Sequence, residues 1–138
     1  MTLRWLGWSA LAVAVTFGAG WFVGASGRSV VEQDRRRAEQ RADFAEARAL
    51  VLQGRVSLFQ SNFGEANRHF NEALGRIERA QTRLRQLGEA TRAGELEVAL
   101  AQLREAQRLS LALDASAQAT AATALRVIEA VASATESR

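Results

Sequence analysis

The sequence predicts an all-α protein, with one N-terminal transmembrane helix followed by an antiparallel helical hairpin in a three-helix, coiled-coil-like bundle. Three observations predict it. The 138 residues include no proline, the strongest helix breaker, while Ala, Leu, Arg, Glu and Gln abound. An uncharged apolar stretch opens the chain. Beyond it, apolar residues recur in alternating steps of three and four through three segments, the signature of helices that cover one another. The length allows one small domain beside an anchor, residues 1–28 and 29–138.

From Trp5 to Ala25 there is no charged side chain. At 1.5 Å per residue this run reaches roughly 31 Å, enough to cross the hydrocarbon core of a bilayer. Trp5 and Trp8 stand at one end and Trp21 at the other, where interfacial aromatic residues belong. Val23-Gly24-Ala25 could instead end a cleavable signal peptide, but the apolar run exceeds the usual h-region of about 7–15 residues, which favours a retained anchor. Ala12, Thr16, Gly20 and Gly24 recur every four residues and form a small-residue face for packing against another membrane helix.

Orientation follows from arginine. Arg4 precedes the span, whereas Arg28, Arg35, Arg36, Arg37 and Arg41 follow it closely. The positive-inside rule then places the C-terminal domain in the cytoplasm, on a bacterial inner membrane. The short Arg4 tail also resembles an ordinary signal anchor, which would send the domain to the periplasm. The five arginines after the span are suited to anionic lipid headgroups, at about 1 kcal/mol per residue near the surface.

The first segment steps through Ala38, Ala42, Ala45, Ala49, Leu52, Val56 and Phe59. In the second, Phe63, Ala66, Phe70, Ala73, Ile77, Ala80, Leu84 and Leu87 alternate large with small, so that a neighbour can approach closely. The third runs from Leu96 to Val131, with polar lapses at Ser110 and Thr120. Asn62 with Glu65 has capping-box spacing, Gly88 is a C-terminal stop, and Thr91 is a candidate N-cap. These signals predict helices at about 29–60, 63–87 and 92–134, the last bending near Asp114-Ala115-Ser116.

Residues 47–75 resemble a single tetratricopeptide unit. Gly54, Phe63, Ala66, Phe70 and Ala73 fall at the spacing of that family's small, aromatic and alanine positions. The chain departs from the pattern at Ser57, which occupies an aromatic position, and in lacking both a terminal proline and a second repeat. The resemblance implies a helical hairpin whose surface binds protein or peptide partners, here through an Asn- and Arg-lined groove across Asn62 to Arg76.

No reactive constellation accompanies these helices. His69 is the only histidine, there is no cysteine, and no Glu-x-x-His pair or phosphate loop occurs. The chain is therefore expected to be non-catalytic, without catalytic, cofactor-binding or metal-binding residues and with no evident small-molecule substrate. The pI near 11.1 comes from 18 basic residues that are all arginine, and the net charge of only +3 does not call for nucleic acid. Glu72 and Arg76 suit an i,i+4 pair, and Arg76, Arg79, Arg83 and Arg85 form a solvated cluster or a patch for an acidic partner. The expected role is an accessory or scaffold subunit among other membrane protein subunits, of respiratory, photosynthetic or envelope type. The alternatives are a self-associating coiled coil and, third, a cofactor-carrying or enzymatic bundle.

Overall fold

The computed structural model describes the backbone of residues 3–137 and, from Val30 onward, the side chains as well. The described residues form four helices: α1 (Leu3–Phe59), α2 (Phe63–Gln86), α3 (Ala90–Leu111) and α4 (Ala117–Glu136). Two compact units divide the chain, Met1–Ala38 and Glu39–Arg138. The expected membrane span, Trp5–Ala25, lies outside the residues whose side chains are described. Among the described residues no helix is long and apolar enough to cross a membrane.

The second unit is an up-and-down arrangement, because each connection is too short to do anything but reverse the chain. All three reversals use one device. The N–H groups of Asn62, Glu89 and Asp114 reach back to the carbonyls of Ser57, Leu84 and Leu109 at 2.8, 2.9 and 2.9 Å. The residue before each, Ser61, Gly88 and Leu113, takes positive φ (58°, 77° and 57°). This is the Schellman stop, which satisfies carbonyls a helix end would otherwise orphan. Glycine enters the left-handed region freely, whereas for Leu113 it costs about 1–2 kcal/mol.

That third stop corrects the sequence expectation of one helix over 92–134. The chain breaks at Leu113 and folds back, with the Asp114 carboxylate accepting from Ser116 N (2.8 Å) and Oγ (2.7 Å). Folding back buries Ala117, Ala121, Ala124, Leu125, Ile128, Val131 and Ala132. A straight helix would leave that face without a cover. Each large apolar side chain buried contributes about 1.5–3 kcal/mol, so Leu125 and Ile128 alone outweigh the strain at Leu113. The bundle therefore has four helices, not three.

The first segment is corrected in phase. Ala38, Ala42, Ala45, Ala49, Leu52, Val56 and Phe59 are all exposed. The buried face of α1 is instead Gln40, Asp43, Phe44, Ala47, Val51, Gly54, Ser57 and Leu58, on the opposite side of the helix at ~100° per residue. Two complementary fits choose it. Gly54 provides a notch filled by the Phe70 ring, so that an added Cβ would stand 2.5 Å from Cε1. Asp43, almost wholly buried, meets the arginines of α2. The exposed face is the more regular seam but offers neither a notch nor a carboxylate.

The rest of the core is supplied by α2 and α3. Gln81 Nε2 donates to the Ala93 carbonyl (2.9 Å), and buried Ser110 donates to the Phe63 carbonyl (3.2 Å), which explains that polar lapse in the seam. Gln118 closes α4 onto α1: it accepts from Arg55 Nε (3.0 Å) and donates to the Arg55 carbonyl (2.7 Å). Asn62 caps α2, accepting from Glu65 N at 3.2 Å. At α3, Glu89 holds the N-cap position without a capping side-chain bond, so the expected Thr91 cap is not formed.

Candidate interaction surfaces

The membrane-helix face (Ala12, Thr16, Gly20, Gly24), the interfacial Trp5, Trp8 and Trp21, and Arg28 lie outside the described side chains. Of the following arginines, Arg35, Arg36, Arg37 and Arg41 are exposed, and Arg35 and Arg36 approach Glu32 at 2.8 and 3.5 Å. A hydrogen bond from Arg35, and then its charge, hold the Glu32 carboxyl below its ordinary range. In the seam of α2, Phe70, Ile77 and Leu84 are fully buried and Phe63 is half-buried, so these four side chains are structural.

Helix α2 faces α1 through charge as well as apolar contact. Arg83 pairs with Asp43 (2.5 Å) and Glu39 (3.7 Å). Arg76 reaches Glu46 at 2.5 Å and Asp43 at 3.5 Å, while Arg79 approaches Asp43 at 3.7 Å. Arg85 instead bonds Glu97 of α3 at 2.8 Å. The cluster of α2 arginines is thus directed at carboxylates of its own chain. The expected Glu72–Arg76 pair is not formed, since Glu72 accepts from Arg68 at 2.6 Å and Arg76 turns to α1. A carboxylate nearly out of water needs such partners, because burying a charge without compensating bonds is costly.

Among the described residues, grooves mark the surface of this unit. One, of about 590 Å³, lies between α1 and α2 against Ala49, Gln53, Asn71, Gly75, Arg76 and Arg79. It holds Asn71 and Arg76 from the span Asn62 to Arg76 of the expected Asn- and Arg-lined groove, while Asn62 itself is spent on the helix cap. Another, of about 560 Å³, is apolar and runs along Val98 of α3 and Val127, Ala130 and Val131 of α4.

His69 sits half-buried on α2 with Nε2 3.7 Å from a Glu65 oxygen, and its Nδ1 has no hydrogen-bond partner. Arg68, by its hydrogen bond and then its charge, keeps the Glu65 carboxyl below the ordinary range, and the neighbouring His69 adds to this. Among the described residues no group of three or more His, Asp or Glu is placed to hold a metal ion.

The regular 3-4 stripe of α1 is a surface, not a seam of the chain's own bundle. Outer α1 exposes Phe59 by 86%, Val56 by 55% and Leu52 by 46%. Its signal was visible as a perfect 3-4 alternation; what sequence periodicity does not say is which of two apolar faces the chain uses itself. Comparison with protein-family models, curated proteins and solved structures finds no match.

Proposed function

We propose that the chain is a non-catalytic, membrane-anchored accessory subunit, whose helical unit presents protein-docking surfaces beside the bilayer. The observation that carries this reading is the double-faced α1. One face is consumed by the chain's own core, and the other keeps a regular apolar stripe in water. Exposed, contiguous apolar surface of this kind marks interaction sites. The uncharged run Trp5–Ala25 supports the anchor, with Ala12, Thr16, Gly20 and Gly24 as its packing face in a bacterial inner membrane. Arg28, Arg35, Arg36, Arg37 and Arg41 would touch anionic headgroups and hold the helical unit on the cytoplasmic side.

The Gly54–Phe70 fit supports the tetratricopeptide-like reading of residues 47–75, since it joins the small and aromatic positions of that pattern. The polar groove beside Asn71 and Arg76 would then receive an extended segment of a partner.

Extraction in mild detergent followed by native mass measurement tests the subunit reading. Other membrane subunits at fixed stoichiometry are expected, and Gly20→Leu with Gly24→Leu should release them. A chain that needs no detergent and purifies alone overturns it. The exposed α1 seam also favours a second reading, in which the chain associates with itself.

A further inference from the structure

We propose that the outer face of α1 is the interface of a parallel, in-register dimer of this chain. The inference rests on the reading of that face as a docking surface and names what covers it. Six positions carry it: Ala42, Ala45, Ala49, Leu52, Val56 and Phe59, all exposed and spaced four and three in strict alternation. A seam repeating every seven residues stays in contact only with another helix wound around it in the same period. The alanines let two backbones come close near one end, and Leu52, Val56 and Phe59 supply the buried area at the other.

The flanking charges choose the partner and its direction. Arg41, Arg48 and Arg55 stand just before the seam residues Ala42, Ala49 and Val56. Glu46, Gln53 and Gln60 stand just after Ala45, Leu52 and Phe59. In a parallel pair, the residues on one flank meet those on the other flank of the second helix, one heptad on. Arg41 then meets Glu46 of the second copy and Arg48 meets Gln53, twice over by symmetry, while Arg55 keeps its bond to Gln118 of its own α4. In an antiparallel pair the same flanks meet, and arginine would oppose arginine along the whole seam. Glu46 binds Arg76 through Oε2, which leaves its other oxygen for Arg41. Among the described residues neither Arg41 nor Arg48 has an acidic partner.

The test uses full-length protein in lipid nanodiscs. The natural chain has no cysteine, so one introduced thiol reports on one position. Ala42→Cys and Val56→Cys, near opposite ends of the seam, should each oxidise to a disulfide dimer, while Thr82→Cys on exposed α2 should not. A disulfide only at the central Ala49→Cys would mean an antiparallel pair and overturns the proposal. Ala45→Glu with Ala49→Glu changes exposed positions only, so helix content should hold while dimerisation weakens about tenfold or more from facing like charges. Dimerisation unaffected by those glutamates overturns the seam as its cause. A photo-crosslinking side chain at position 56 separates the two levels of inference: an adduct of twice the chain mass supports the dimer. An adduct with a different polypeptide overturns the second copy and leaves the docking surface standing; no adduct overturns both.

Discussion

Gly54→Ala should destabilise the helical unit, although alanine is the better helix former. An ideal Cβ at residue 54 would lie 2.5 Å from Phe70 Cε1, 2.8 Å from Cδ1 and 3.0 Å from Cζ. Carbon atoms rest at about 3.5–4.0 Å, so the ring must retreat by roughly 1 Å. Phe70 is fully buried, so the retreat displaces its neighbours too. Overpacking of this kind costs about 1–3 kcal/mol, against about 1 kcal/mol gained from helix propensity. Gly94→Ala isolates the steric part, because a Cβ there meets nothing within 4 Å and that variant should gain the propensity alone. The two unfolding free energies from urea titration, followed by far-UV circular dichroism on the full chain in mild detergent, should differ by about 1–3 kcal/mol. Phe70→Leu should recover much of the loss in the double variant, a non-additivity expected of residues in contact. If Gly54→Ala and Gly94→Ala stabilised alike, the packing of α1 on α2 described above would be wrong.

Other outcomes follow from the same geometry. Leu113→Gly should stabilise by about 1 kcal/mol, since Leu113 is exposed and held at φ 57°, and Gly88→Ala should lose a similar amount at φ 77°; thermal unfolding reads both. Asp43→Ala removes the carboxylate shared by Arg76, Arg79 and Arg83 and should cost about 1–3 kcal/mol, whereas Glu78→Ala, an exposed partner of Arg104, should change the urea midpoint little. Acid should loosen the α3–α4 turn. The Ser116 hydroxyl, then its N–H, hold the Asp114 carboxyl below its ordinary 3.8, so the unfolded chain binds the proton more readily. That contribution is complete above 3.8 and is lost as pH falls through the lower folded value. Asp114→Ala should flatten this part of the profile of unfolding midpoint against pH.

Much of the architecture could be read from residue order. Helix class, the stop at Gly88, the Asn62 cap and the buried Phe70, Ile77 and Leu84 follow from local rules: 3-4 spacing, a glycine free to take positive φ, and a side chain that accepts from the next turn. At Asp114-Ala115-Ser116 the sequence announced a bend but not a full stop, for Leu113 is no glycine. A leucine enters the left-handed region only because long-range burial of α4 rewards it.

The α1 face shows the same division. Sequence alone determined that residues 38–59 form a helix with an apolar seam, because periodicity is a property of the chain itself. Only the tertiary structure decided that this seam points to water, because the choice depended on a notch at Gly54 matching a ring at Phe70 and on a carboxylate at Asp43 matching three arginines of α2. Such matches join residues sixteen to forty positions apart, and no period along one helix encodes them.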